Sequence, residues 1–422
     1  MGTGAFRSIA ITSAEQPAEA SPAASGAVRK RGGSVDLPLL LIMATMLTFG
    51  LIMVHSASTD FSLRFHNDPW HIFLRQIVWV VLGVAAAYLV SRLDYHHWRT
   101  LSLPVMILTL GLLIAVLFVG DAHLSSIRGL YGGSIQPAEL AKLVTIIYLS
   151  VWLHSKREQF HDITWGLIPM AFILGSIGGL IYLQPDISAT ATIFMLGGLL
   201  FFLAGGDLRQ IIVLFVVALL AGFLIVQFSS TGRARIDSFW FGLLNPVEAD
   251  YHVLRSLEAV VKGNLFGVGI GLADTKLLGL PLAATDSIFA VIAEELGIVG
   301  AIVLISLYAG IVWRGMRIAA KAPDLLGTLL ATGLVFWIAT EAAINILAML
   351  ALMPFAGNAL PFVSAGGSSM LVSLIAIGIL LNISRQSKPG AEKQKEERRD
   401  YGAVLDLRRR NRRRGLSRVG RS

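Results

Sequence analysis

Apolar residues in this chain gather into blocks of about 20, each long enough for an α-helix to cross a hydrocarbon core of about 30 Å. Ten such blocks are legible, near 37 to 56, 72 to 91, 101 to 120, 138 to 155, 164 to 183, 187 to 205, 208 to 228, 287 to 313, 325 to 349 and 364 to 383. They predict an all-α integral membrane protein of about ten transmembrane helices. Most connections are short. The exception, residues 229 to 286 between the seventh and eighth blocks, is too long for a passive connector. Inside it, Leu254 to Val261 has the period of a short interfacial helix and Gly263 to Gly271 is a glycine-rich turn region.

Composition agrees. Of 422 residues 55% are apolar and 15% charged, and the mean hydropathy is +0.69, a balance foreign to a soluble core of this size. Orientation follows from Lys and Arg in the short connections. Arg29, Lys30 and Arg31 precede the first block; Arg92 and Arg99, Lys156 and Arg157, Arg209, and Arg314, Arg317 and Lys321 mark alternate connections. These connections and both termini are expected on the cytoplasmic side. The 229 to 286 loop is then extracytoplasmic by alternation, since its own charges nearly balance: five basic against five acidic before Asp286 itself.

The net charge of +8 resides in the C-terminal segment, where residues 384 to 422 carry fourteen Lys and Arg against five Asp and Glu. The expected organisation is a flexible cytoplasmic leader (1–35), not a cleaved signal, a membrane domain (36–384) and a basic disordered cytoplasmic tail (385–422) held near anionic lipid. The tail lacks the aromatic interleaving of a nucleic-acid site, so no nucleic acid is expected as a partner. The absence of Cys excludes disulfides, thiolate nucleophiles and Cys-ligated metals.

Ionisable groups inside apolar spans are costly and are therefore functional candidates. Most here fall toward outer ends: Arg75 and Gln76, Glu139 and Lys142, Asp186, and Asp286. Glu294 and Glu295 lie about 12 to 14 Å below Asp286 along a helix, and Glu341 lies within the ninth block. Each has two readings. Gln136-Pro137-Ala138-Glu139 is a helix start with Pro first and an acid in the first turn, whereas Lys142 requires a partner or a bound anion. Asp186, in Gln184-Pro185-Asp186, either caps the sixth helix or faces a site; Thr285-Asp286 is either the cap and first residue of the eighth helix or a catalyst. Asp286 or Glu294 is alternatively a buried proton-relay acid. Ser364-Ala365-Gly366-Gly367-Ser368-Ser369 offers either amide groups to an anion or small residues for close packing.

Taken in order, several segments resemble the SEDS family of bacterial cell-wall proteins, whose members include FtsW, RodA and SpoVE. They are Asp36 with His55-Ser-Ala-Ser58, Ile135-Gln-Pro-Ala-Glu-Leu-Ala-Lys142, Gln184-Pro-Asp-Ile-Ser-Ala-Thr190, Tyr251-His-Val-Leu-Arg-Ser with Asn264-Leu-Phe-Gly-Val-Gly-Ile-Gly271, Thr285-Asp-Ser-Ile-Phe-Ala-Val-Ile-Ala-Glu-Glu-Leu-Gly297, and Asn345 with Leu360-Pro-Phe-Val-Ser-Ala-Gly-Gly-Ser-Ser369.

The resemblance implies a peptidoglycan glycosyltransferase of the cytoplasmic membrane that polymerises lipid II at the outer face beside a class B penicillin-binding protein. It implies Asp286 as general base for the acceptor GlcNAc 4-hydroxyl, with inversion at the MurNAc anomeric carbon. Lys142, Arg75, Arg128, Gln136, Glu139, Asp186, Lys276, Ser364 and Ser368 are the expected substrate-binding residues. Membrane lipids are further partners, no resident cofactor is required, and a divalent cation at the diphosphate is left open. Two other functions share these residues: a flippase for the lipid-linked precursor, and a non-catalytic scaffold for the penicillin-binding protein. An ion-coupled transporter would show inverted repeats, which the sequence lacks.

The chain departs from the family at Pro281-Leu282-Ala283-Ala284, where members read Pro-Glu-x-His, at Arg128-Gly129-Leu130 for Arg-Trp-Ile, at Ser134 for an arginine, and at Ala365 for a tyrosine.

Overall fold

A computed structural model describes residues 35–119, 136–156, 166–228, 230–245 and 249–387. The expected leader before residue 35, the tail beyond residue 387 and Arg128 lie outside the described residues. Among the described residues all regular structure is helical: α1 (Leu37–His66), α2 (His71–Arg92), a 3₁₀ turn (Tyr95–His97), α3 (Trp98–Val119), α4 (Pro137–Ser155), α5 (Leu167–Tyr182), α6 (Ile187–Leu203), α7 (Leu208–Phe228), α8 (Ser230–Leu244), α9 (Tyr251–Gly263), α10 (Ile288–Ala320), α11 (Leu325–Met349) and α12 (Gly367–Gln386). Each apolar block has its helix. The long loop contains the expected α9 and also α8, which its weak periodicity did not announce.

Aspartates set several helix starts. Asp36, Asp186, Asp250 and Asp324 each accept a main-chain N–H at the N-terminus of α1, α6, α9 and α11, satisfying a donor that the helix itself cannot. The other end of α1 closes at Asn67, left-handed at φ 51°, whose N–H bonds Leu63 O. Six helices, α1, α2, the 3₁₀ turn continued by α3, α10, α11 and α12, are long and apolar enough to cross a membrane. Their burial differs: 72% of the apolar windows of α11 and α12 is buried against 22% of that of α2. Thus α10 to α12 form the centre, with α2 against α12, α1 and α9 against α10, and α4 against α6 and α11. Exposed Leu, Ile, Val and Phe cover the outside of α1, α2, α3 and α7, as a chain solvated by lipid requires. This is a multi-pass membrane protein.

The eighth block is not one uninterrupted helix. At Gly297 α10 breaks, with φ 67° and ψ −166°, and the freed backbone groups are taken up by the glycine-rich segment of the long loop. Val268 N and Gly269 N donate to Glu294 O and Glu295 O, each at 3.0 Å, while Ile298 N and Val299 N donate to Asn264 O and Leu265 O at 3.0 and 3.2 Å. A break within an apolar helix persists because both sides are re-satisfied in this way. The approach is too close for side chains: a Cβ at Gly263 would overlap Ala293 O, and one at Gly267 would overlap Glu295 O.

The two acids preceding the break hold the loop. Glu294 Oε1 accepts Asp274 N at 3.0 Å and Thr275 N at 3.2 Å; Glu295 Oε1 accepts Lys276 Nζ at 3.0 Å and Ser56 Oγ at 2.6 Å. Both carboxylates are buried. They fasten the loop to α1 and α10.

At the opposite ends of these helices, a second polar cluster joins the α2–α3 connection to the start of α11. Asp324 accepts Tyr95 Oη and Gly327 N, each at 2.8 Å, and His96 lies between Asp324 Oδ2 at 3.0 Å and Asp94 Oδ1 at 2.6 Å. Burial opposes ionisation of Asp94, but hydrogen bonds from the His96 amide, Gln386 and the His96 ring outweigh it and hold its pKa at about 2. Asp324 is likewise lowered, against burial, by the Gly327 amide, Tyr95 and His96.

Candidate active site

Asp286 stands in a turn, not in a helix. The N-cap of α10 is Ser287, which makes no side-chain capping bond, and the helix begins at Ile288. The sequence assignment of Thr285 as cap and Asp286 as first helical residue is therefore corrected. What replaces it is a tight turn centred on Leu282, itself left-handed at φ 51°, whose carbonyl accepts Thr285 N at 3.0 Å and Ser287 N at 3.2 Å.

Three consecutive carbonyls of this turn are tied to α11 and to the segment between α11 and α12. Ala284 O accepts Ala365 N at 2.8 Å, Thr285 O accepts Ser364 Oγ at 2.6 Å, and Asp286 O accepts Asn345 Nδ2 at 2.8 Å. Asn345 Nδ2 also donates to Asn358 O at 2.6 Å. Asn358 Oδ1 is 2.6 Å from Ser188 Oγ, which is 2.9 Å from Asp186 Oδ1. The half-buried Asp286 carboxylate lies close to Gly357, where an added Cβ would stand 3.6 Å from Oδ2. Beside it His252 of α9 stacks on Phe355 with centroids 4.4 Å apart, and burial lowers the His252 pKa, keeping the ring neutral. A carboxylate on a turn pinned at three successive peptides has little freedom to wander, which is what a positioned base requires.

The remaining sequence candidates divide. Asp186 caps α6, accepting Ala189 N at 3.1 Å, and also ends the polar chain that starts at Asp286. Ser364 accepts Leu360 N at 2.7 Å as well as donating to Thr285 O, so its hydroxyl positions two turns. Ser368 Oγ accepts Gln136 N at 3.1 Å, joining the starts of α12 and α4. The small residues nearby pack closely: a Cβ at Gly367 would stand 2.5 Å from the Trp79 indole. These contacts support the packing reading of this segment.

Lys142 is buried and already partnered. Its ammonium is 2.8 Å from Glu139 Oε1, makes a short contact with Glu341 Oε1, and lies over the Trp337 ring at 5.8 Å. Lys276, 4% exposed, is bonded to Glu295, Ser56 O and Gly271 O. The sequence left Lys142 wanting a partner; tertiary structure supplies two carboxylates, one from the same helix and one from α11. Arg75 differs from both, being exposed on α2 beside Gln76, which donates to Ser364 O at 3.1 Å. Sequence reasoning did not place Asn345, Asn358 or Ser188 at the site. For Asn345 the signal was present, an amide inside an apolar span; Asn358 and Ser188 sit in connections where such residues are ordinary. Among the described residues no group of three or more His, Asp or Glu is assembled to hold a metal ion, and no step below uses one.

The fold and these motifs have matches among known proteins. The profile of the FtsW/RodA/SpoVE family, described as cell cycle protein, matches residues 37–389. The chain belongs to this family. It is 36% identical over 360 residues to the stage V sporulation protein E of Bacillus subtilis, covering 84% of this chain and 98% of that one. It is 36% identical over 355 residues to the probable peptidoglycan glycosyltransferase FtsW of Trichlorobacter lovleyi, covering 83% and 93%. Among solved structures, a chain of a peptidoglycan synthase complex that coordinates polymerization and crosslinking superposes with a TM-score of 0.68 at 25% identity, over 84% of this chain and 99% of that one. The rod shape determining protein RodA of Thermus thermophilus shares the fold, with a TM-score of 0.61 at 24% identity over 84% and 98%.

Proposed function

We propose that this family member is a peptidoglycan glycosyltransferase of the bacterial cytoplasmic membrane, polymerising lipid II at the outer surface. Asp286 is its general base. In the reaction the carboxylate takes the proton of the acceptor GlcNAc 4-hydroxyl as that oxygen bonds the donor MurNAc anomeric carbon. The carbon–oxygen bond to the polyprenyl diphosphate breaks, its electron pair leaves with the diphosphate, and the anomeric configuration inverts. A diphosphate leaves readily once its charge is neutralised, so a second carboxylic acid, needed in glycosidases, is dispensable. The observation that carries the reading is the pinning of Ala284, Thr285 and Asp286 by Ala365, Ser364 and Asn345, which supports a rigid mount for one carboxylate where family membership calls for it.

The topology proposed with it is ten passes with both ends cytoplasmic and the 229 to 286 region outside, as the Lys and Arg distribution favours. Arg75 is the exposed cation assigned to phosphate or saccharide contact, with Arg128 as a second candidate. Lys142 serves the site indirectly, as the counter-ion joining α4 to α11; Gln136, Glu139, Asp186 and Ser368 are positioned with it along the rim. The architecture shared with a synthase complex supports a class B penicillin-binding protein as the partner that cross-links the product.

Purified full-length protein given lipid II alone should form glycan polymer, and Asp286→Asn should abolish it while retaining the wild-type thermal melt. Polymer from a well-folded Asp286→Asn protein would sink the assignment. Transfer of lipid II across vesicles without polymer would favour the flippase, and no polymer either with or without the cross-linking partner would favour a scaffold role.

A further inference from the structure

Away from Asp286, α1, α2 and the 270–276 segment enclose a groove of about 560 Å³ that Asp286 does not line, a size within the roughly 300–1,000 Å³ of small-ligand sites. Its wall is graded along α1. Leu51 and Ile52 make the apolar end, and His55, Thr59 and Asp60 follow one to two turns further toward Asn67. The floor is Ser56 with Lys276, whose ammonium lies 3.0 Å from each of Glu295 Oε1, Ser56 O and Gly271 O. That pair is neutral and its donors are spent, so the floor offers no free cation to a bare anion.

Two groups on the wall remain uncommitted. Asp60 is partly buried and, among the described residues, has no hydrogen bond or ion pair. One turn away the His55 ring stacks on Trp70 at 4.7 Å and leans on Phe73 at 4.9 Å, and its Nδ1 is buried without a partner. A carboxylate without a partner among the described residues, in a groove that Phe73 also lines, selects an ammonium group through charge-assisted hydrogen bonds. Leu51, Ile52 and Phe73 supply a surface for methylenes. A ligand with these parts in this order carries a primary ammonium and an acyl chain, which a bilayer supplies as an amine-headed phospholipid.

We propose that this groove binds one outer-leaflet phospholipid with a primary-ammonium headgroup, its ammonium on Asp60 and its acyl chain along Leu51 and Ile52. The leaflet assignment rests on the orientation proposed above; the binding itself does not depend on glycosyl transfer. The bound lipid would brace α1 against the loop that Glu295 anchors.

The test uses full-length protein in detergent, exchanged against equimolar phosphatidylethanolamine and phosphatidylglycerol of identical acyl chains and read by native mass spectrometry. One phosphatidylethanolamine should be retained per chain, in about fivefold excess over phosphatidylglycerol as expected for a partly exposed ion pair. Asp60→Asn, which removes no hydrogen bond or ion pair among the described residues, should bring that ratio to about one, and Ile52→Trp should reduce retention of both lipids. Equal retention by the wild type, an unchanged ratio in Asp60→Asn, or undiminished retention in Ile52→Trp would each overturn the proposal. None of these readings involves polymer synthesis, so they stand apart from the outcome for Asp286.

Discussion

Asn345 Nδ2 lies 2.8 Å from the main-chain carbonyl of Asp286 and 2.6 Å from that of Asn358, so one buried amide holds the turn bearing the acid and the segment facing it. The two segments are 59 and 13 residues away in sequence from Asn345, and neither is helical. Removing the amide should therefore act on geometry more than on chemistry. Asn345→Leu keeps the shape and leaves two carbonyls without their donor, at about 1–3 kcal/mol each where buried. Polymer synthesis from lipid II should fall at least about tenfold, as a displacement of the reacting groups entails, and Asn345→Asp should fall similarly because a carboxylate cannot donate. Full activity in both would remove Asn345 from the positioning of Asp286.

The break in α10 makes a graded prediction for two loop glycines. Gly267, at φ 79°, has Glu295 O where its Cβ would be, whereas Gly271, at φ 87°, has open space. Gly271→Ala should cost only the left-handed penalty, about 1–2 kcal/mol. Gly267→Ala adds a backbone clash and should cost distinctly more, with loss of the Val268 and Gly269 bonds to α10. Thermal melts of the two variants in the same detergent decide it, and equal shifts would refute the stitching of loop to helix.

The Lys142 cluster concerns buried charge. Lys142→Met leaves Glu139 and Glu341 facing each other without their counter-ion, a change expected to destabilise by about 3–5 kcal/mol. Adding Glu341→Gln removes the deepest charge and should restore much of the loss. A double variant no more stable than the single would show that Glu341 is not the partner that matters.

Acid should weaken the far-end cluster. The Asp94 pKa, held at about 2, and that of Asp324, also lowered, lie below their unfolded values. Their contribution is fully present above the unfolded carboxylate range of about 4 and is lost as pH falls toward about 2. Melting temperature measured from pH 5 down to pH 2 should drop less steeply in Asp94→Asn and Asp324→Asn than in the wild type. Parallel curves would show that the cluster adds no pH-dependent stability.

Much of the architecture is legible in the residues themselves. Apolar length alone marks every block that becomes a helix, because a chain solvated by lipid must satisfy each peptide group within its own segment. Local chemistry also offers the cap at Asp186 and the α9 helix, both short-range effects. The motif Thr285-Asp286 is equally visible, since it needs only order along the chain to be compared with a family.

What sequence could not give is where the polar side chains spend their bonds. Lys142 looked free to meet an anion until α11 brought Glu341 to it, and Lys276 until α10 brought Glu295. Asp286 looked like a helix cap until Ala365, Ser364 and Asn345 claimed the three carbonyls of its turn. The broken helix at Gly297 was equally hidden, because its stability depends on amides more than 25 residues earlier in the chain. Helix formation depends on neighbours three or four residues apart and is written in the sequence; hydrogen-bond and charge partners are chosen by packing between distant segments, which only the tertiary structure decides.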